Sequence, residues 1–502
     1  MKHQILLCGA ILGPILSMVS WAGIPEPVKL DSGQISGTTG QSPEVQVFKG
    51  IPFAAPPVGD LRWKPPQPVA HWDGVRKADQ FGPTCLQASR PGGPPSSEDC
   101  LYANVWTTAQ RASDRRPVIV WSYGGGFTGG SGSLPAYDGE EFAKKGVVFV
   151  TYNYRLGIFG FFAHPDLTKE SGHNASGNYG LMDLVGVLNW VHNNIEAFGG
   201  DPKKVTIMGE SAGAILVASL VGSPEGKGLF ERAIAESGAY MGVSMGTMTT
   251  LSQAEENGKK MAATLGASSL ADLRAKSADD LFKNARGPAG LIVDGWYIPE
   301  DLSKTFRSGH QNDVDILVGS NKDEGTFFQR GPTTADALTK RAHDRYAGEA
   351  KTFLDLYPAD TDADATKSQL ASFRDELAWN MRLWGLQTLR KRHKAYVYYF
   401  THEPPTAPGQ QSRGATHTAE LPYVFHLSTQ KLWTDEDRKL SESMLSYWVN
   451  FATKGDPNGK GLPQWQVFNP NGISFVLGEP TGPGQAPDIA RLQFFDQQYA
   501  KQ

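Results

Sequence analysis

The residues best placed to do chemistry lie in "VTIMGESAGAI", Val205 to Ile215, where Gly-Glu-Ser-Ala-Gly separates two apolar runs. Ser211 has two readings there: a nucleophile on a sharp strand-to-helix turn, or a serine in an ordinary loop. A nucleophilic hydroxyl must project from the end of a strand. Gly209 and Gly213 leave room where side chains would meet neighbouring backbone. The N–H of Ala212 then opens a helix, where it can donate to a developing oxyanion. Gly-x-Ser-x-Gly alone is common by chance, and it is the strand before and helix after that favour the nucleophile. "YGGGF", Tyr123 to Phe127, also follows a strand. Gly124, Gly126 and Gly129 fit G-x-G-x-x-G, but a dinucleotide site needs a helix opening at the glycines, and "TGGSGSLPAYDG" follows instead. The better reading is that the N–H groups of Gly125 and Gly126 complete an oxyanion hole with Ala212; a flexible surface loop is the plainer one.

A serine nucleophile needs a base, and the base needs an orienting acid. Eleven histidines are available, and spacing alone does not choose among them. "GATHTAELPYVF" puts His417 in a loop of small residues after a late strand, whereas His402 and His426 read as surface or packing histidines. "GSNKDEGTFF" offers Asp323 or Glu324 in a loop after another strand. The order serine, acid, histidine is that of the α/β-hydrolase fold. The residues themselves thus imply a serine hydrolase and leave the base and the acid only partly placed.

The elements around these residues fit that order. Val118 to Trp121, Gly146 to Arg155 and Lys204 to Glu210 are short apolar runs with a β-branched bias. Leu181, Leu184, Val185 and Leu188 define one face of a helix, and "AGAILVASLV" continues from Ser211 as another. Strands alternating with helices predict a large, mostly parallel sheet covered on both faces. Val314 to Gly325 and "AYVYYFTHE" add later strands, and Ser441 to Thr453 an amphipathic helix. Residues 28–115, rich in Pro and Gly, read as short strands and turns wrapped on the body. The expected organisation is one large domain over residues 23–502, with helical insertions around 248–307 and 333–394.

Residues 1–22 read as a cleavable signal peptide: Lys2 and His3, the apolar run Ile5 to Val19, then "SWA". Gly9, Gly13 and Pro14 interrupt the run, which weighs against a retained membrane anchor, and Leu7 beside Cys8 weighs against lipidation. The location implied is secreted or periplasmic. Cleavage leaves Cys85 and Cys100, and one pair in an exported chain invites one disulfide, with two free buried thiols as the alternative. A bridge over that loop would stabilise by roughly 3 kcal/mol in the chain-entropy model. The net charge of −4, without a block of one sign, gives no case for binding nucleic acid or an anionic membrane. "DTDAD", Asp360 to Asp364, lacks the glycine and glutamate of a calcium loop, and no cluster has zinc spacing. Neither a metal nor a cofactor is expected, and the chain is expected to be a monomer acting on a small molecule, which the resemblance given next makes an ester.

The sequence resembles the type-B carboxylesterase and cholinesterase family. The resemblance runs from about Val28 to Phe468 and includes "FKGIPFAAPPVGDLRW", "SEDCLYANVW", "YGGGF", "NYRLGIFGF", "GESAGA", "KDEG", "HTAELPYVF" and "YWVNFATKGDPNG" in family order. It implies Ser211 as nucleophile, Glu324 as acid, His417 as base, and an oxyanion hole from Gly125, Gly126 and Ala212. It also implies the Cys85–Cys100 disulfide, the ion pairs Arg62–Glu98 and Arg155–Asp183, and a role for Glu210 in organising the site. The loop between the cysteines contains no aromatic residue, whereas cholinesterases stack choline on a tryptophan there. Its absence argues against acetylcholine and for bacterial carboxylesterases of the para-nitrobenzyl esterase kind. Two rivals remain: another acyl hydrolase (amidase, thioesterase or lactonase), and an adhesion module with a vestigial site.

Overall fold

The β-branched runs assemble into an eleven-stranded sheet in the computed structural model, which describes residues 23–501 apart from 89–93, 240–247, 286–289, 428–429, 470–472 and 486–487. The expected signal peptide, residues 1–22, lies outside the described residues. In chain order the strands are β1 (Thr38–Thr39), β2 (Gln46–Pro52), β3 (Tyr102–Thr107), β4 (Arg116–Ser122), β5 (Val148–Tyr152), β6 (Gly200–Glu210), β7 (Arg232–Glu236), β8 (Asp315–Asn321), β9 (Ala395–Phe400), β10 (Ile473–Leu477) and β11 (Gly482–Gln485). Across the sheet they run β11-β10-β9-β8-β7-β6-β4-β5-β3-β2-β1. From β10 to β5 every neighbouring pair is parallel, and the flanking pairs are antiparallel. Every residue of β5, β7 and β9 is buried, as a sheet covered on both faces requires. This is an α/β-hydrolase fold with a large, mostly parallel central sheet.

The helices include α1 (Tyr179–Asn194), α2 (Ala212–Val221), α3 (Gly325–Phe328), α4 (Asp362–Arg390), α5 (Leu421–Val424) and α6 (Asp435–Lys454). On α1 the expected face of Leu181, Leu184, Val185 and Leu188 is buried, and Met182, Val187, Trp190 and Val191 are buried too. The helix is wedged between β6, α2 and the wrapping segment, where a Cβ at Gly186 would stand 3.2 Å from Pro66. The late helix starts at Asp435 rather than Ser441, because Thr434 and Asp437 form a capping box. Within 248–307, which reads as helical, Thr249–Thr250 and Ile292–Val293 pair as a short parallel sheet, too brief for a periodicity to reveal.

Both ion pairs are formed. Arg155 meets Asp183 through Nε and Nη2, the latter at 2.7 Å, with both side chains almost fully buried. Arg155 Nη1 also donates to the Lys64 carbonyl at 2.8 Å, tying the wrapping segment to α1. Arg62 grips Glu98 with two bonds of 2.6 Å and donates through Nη1 to the carbonyls of Arg274 and Lys276. Cys85 and Cys100 form a disulfide. Removing one partner of a buried pair strands the other charge. Asp183→Ala is therefore expected to cost about 3–5 kcal/mol, read as a fall in the urea midpoint; an unchanged midpoint would refute a structural role for the pair.

Candidate active site

Ser211 stands between β6, which ends at Glu210, and α2, which begins at Ala212. Its φ of 54° and ψ of −121° are unusual for a residue with a side chain. Such a conformation costs of order 1–3 kcal/mol and survives only when its surroundings impose it. They do so here. The Ser211 N–H donates to the Glu236 carbonyl on β7 at 2.9 Å, and the Ile215 N–H donates to the Ser211 carbonyl at 3.0 Å. A Cβ on Gly213 would lie 2.0 Å from the Ser122 carbonyl oxygen, so the start of α2 presses directly on the end of β4.

The turn aims the Ser211 hydroxyl at His417. Ser211 Oγ is 2.8 Å from His417 Nε2, and His417 Nδ1 is 2.5 Å from Glu324 Oε2. The other Glu324 oxygen accepts the Asn321 N–H at 2.8 Å. Glu324 is inaccessible and His417 nearly so. Two acids had been open, and their contacts separate them. Asp323 accepts the Ala415 N–H through Oδ2 at 2.9 Å and donates its own N–H to the Ala415 carbonyl at 2.9 Å. Asp323 thus fastens the histidine loop to the acid loop, while Glu324 meets the imidazole. Asn321 Nδ2 adds a bond to the Thr416 carbonyl at 2.8 Å. His402 and His426 lie elsewhere, paired with Asp437 and Ser441 at 2.8 Å each. Burial pulls the His417 pKa down, but the charge and hydrogen bond of Glu324 outweigh it, and the net shift is upward.

Glu210 brings Oε1 to 3.4 Å from His417 Nε2, on the nitrogen that faces Ser211. It also underlies the glycine loop, since a Cβ on Gly124 would stand 2.3 Å from its Oε2. Gly125 and Gly126 have φ of 120° and 61° and are exposed, whereas Ala212 is buried at the helix start. Gln87, inside the disulfide loop, holds the far end of the glycine loop by exchanging two bonds with Gly130, at 2.7 and 2.9 Å.

A model of the carboxylesterase family matches residues 25–481. The chain is 39% identical to a fumonisin B1 esterase of Sphingopyxis macrogoltabida, over 91% of this chain and 87% of the relative. It is 35% identical to a para-nitrobenzyl esterase of Bacillus subtilis, over 87% and 91%. The chain belongs to the carboxylesterase family. A solved para-nitrobenzyl esterase superimposes with a TM-score of 0.81 at 34% identity, covering 93% of this chain and 98% of that one. This carboxylesterase is a carboxylic ester hydrolase.

Sequence reasoning missed the wall beside the imidazole of this carboxylesterase. Phe327 and Phe328 follow the acid on α3, with ring centroids 5.3 and 4.8 Å from His417. They are 37% and 41% exposed beside a buried histidine, so they line the approach to it. Phe373 of α4 backs Phe328 at 4.8 Å. The "TFF" after "KDEG" was the available signal. The sequence also suggests pocket walls around residues 240–248 and the helices of 333–394; of these, residues 240–247 lie outside the described residues. A cavity of about 930 Å³ lined by Arg232 and Asp315 opens at the opposite end of β7 and β8 from Ser211. Gly213→Ala is expected to push the serine turn off β4 and lower kcat/KM about 10²-fold or more, measured on an aryl ester with circular dichroism as the folding control. Near wild-type activity would mean that the close contact is not what sets the serine.

Proposed function

We propose that the enzyme cleaves esters through an acyl-enzyme on Ser211, with His417 as base and Glu324 as its orienting acid. The observation that carries this is the unbroken hydrogen-bond line from Ser211 Oγ through both imidazole nitrogens to Glu324. Ser211 Oγ attacks the ester carbonyl as His417 Nε2 takes its proton. Glu324 holds the imidazole and offsets the imidazolium charge. The N–H groups of Gly125, Gly126 and Ala212 receive the oxyanion. His417 then protonates the departing alcohol, and water repeats the sequence on the acyl-enzyme.

The leaving alcohol departs on the His417 side, where Phe327 and Phe328 offer an apolar wall. Esters with an alkyl or aryl group on the alcohol suit that wall, and the relatives named for fumonisin B1 and para-nitrobenzyl esters make esters of those two kinds candidates. Residues 1–22 act as a cleaved signal peptide and the enzyme works outside the cytoplasm, a reading supported by the disulfide. Among the described residues no helix is long and apolar enough to cross a membrane.

Ser211→Ala and His417→Ala are each expected to lower kcat on the order of 10⁵–10⁶-fold, assayed with p-nitrophenyl acetate, butyrate and octanoate. Substantial activity in either variant would overturn the assignment. The base must be neutral to act, and its pKa lies above the ordinary value. kcat/KM should therefore fall on acidification with a midpoint above the about 6.5 of a free imidazole; a midpoint below it would contradict the Glu324–His417 coupling.

A further inference from the structure

Residues in register across parallel strands share a face of the sheet. Glu210 of β6 is opposite Glu236 of β7, Glu236 is opposite Gly319 of β8, and Gly319 is opposite Tyr398 of β9. They form one row near the carboxyl ends of four strands, directly behind the nucleophile. The gap at Gly319 is filled from the side: a Cβ there would lie 2.3 Å from the Tyr398 ring, so that ring covers the strand between Tyr398 and Glu236. Trp448 of α6 closes the row. Its Nε1–H donates to Glu236 Oε1 at 2.7 Å, and its ring centroid is 5.4 Å from that of Tyr398. Glu210, Glu236, Tyr398 and Trp448 are all essentially inaccessible.

The polar groups here do not balance as four carboxylates. Glu324 has a donor for each oxygen. Glu210, Glu236 and Glu420 each have one buried oxygen without a hydrogen-bond donor among the described residues, apart from His417 Nε2 at 3.4 Å from Glu210. Tyr398 Oη, Ser237 Oγ, Ser320 Oγ and Asn321 Oδ1 are likewise unpaired. Among the described residues no lysine or arginine forms an ion pair with any of the four glutamates; His417 is the one partner. A buried carboxylate without donors is among the costliest groups a fold can hold. A carboxylic acid supplies a donor of its own.

We propose that Glu236 is a positioning residue of this esterase: a carboxylic acid that donates its proton within the row and keeps Glu210 beside His417 without a full second charge. The proposal rests on the assignment of Ser211 and His417 given above. A fully charged Glu210 would compete with Ser211 Oγ for His417 Nε2. Burial pushes the Glu236 carboxyl up to about 8, with Trp448 opposing. Glu210 is also raised, first by burial and then by Glu324 and Glu236, and Glu420 is raised by burial and the same neighbours. The titratable groups around Glu236 are Glu210 on β6, Glu324 after β8, Tyr398 on β9, and Glu420 with His417 on the loop before α5. From α6 it meets Trp448, and α2 carries no titratable side chain. The proton is on below pH about 8 and is lost above it.

The test is infrared difference spectroscopy of wild type against Glu236→Gln, together with their kcat/KM–pH profiles. At neutral pH the difference should contain one protonated-carboxyl C=O band, and this band should give way to carboxylate as the pH passes about 8. The wild-type profile should carry an alkaline ionisation that the Gln variant lacks. Glu236→Leu removes both the acceptor for Trp448 and the donor, and its kcat should lie about tenfold or more below that of the Gln variant, with KM changed less than about twofold. A neutral-pH difference showing only carboxylate bands, or identical pH profiles, would overturn the proposal. If the Leu variant does not fold, the spectrum and the Gln profile still decide. The spectrum reports Glu236 whether or not Ser211 is the nucleophile, and an active Ser211→Ala would sink that assignment separately.

Discussion

The site depends on a backbone conformation that Ser211 would not choose for itself. A left-handed serine between a strand and a helix is held by one hydrogen bond to β7 and by the absence of side chains at Gly209 and Gly213. The rest of the architecture can be read as what makes that conformation unavoidable. β4 presses on the helix start, β7 accepts the serine N–H, and β8 and β9 bring the acid and histidine loops to the same end of the sheet. This is where a parallel sheet collects loops, outside the carboxyl ends of its strands.

The histidine arrives on a loop rather than on a rigid element, so its position must be built by hydrogen bonds. Asp323 and Asn321 supply them, pairing with Ala415 and Thr416, the two residues just before His417. The two loops behave as one piece, and the distance from Glu324 to the imidazole follows from their fastening. On the other side, Gln87 ties the glycine loop to the segment that the disulfide closes. Parts distant in sequence therefore set the geometry of the site through a few partly buried hydrogen bonds, each replacing entropy that a free loop would keep.

Much of this was legible before the structure. The serine turn was readable because its constraint is local: glycine, strand and helix fall within eleven residues. The acid was harder, since Asp323 and Glu324 are adjacent and chemically alike, and only the partner loop distinguishes them. The histidine needed either the resemblance or the fold, because its link to Ser211 crosses more than two hundred residues. The phenylalanines on α3 were visible as letters but not as a wall, because their exposure is set by α4 and the histidine loop. The row from Glu210 to Tyr398 was illegible for a further reason. Cross-strand register between non-consecutive strands leaves no periodicity in the chain.

The buried acids raise a question of charge that the fold answers in its own way. Under the mechanism proposed above, a transient imidazolium benefits from negative charge nearby, yet each additional carboxylate opposes the oxyanion. With no lysine or arginine paired to these groups among the described residues, their charge cannot be cancelled by a counterion. Burial offers another solution, because it disfavours the charged form of every acid that lacks donors. Glu324 has a donor on each oxygen, whereas Glu210, Glu236 and Glu420 behind it each keep a buried oxygen without one among the described residues. The cover from Trp448 and the Tyr398 ring thus sets Glu236 apart from Glu324 without any difference in residue type.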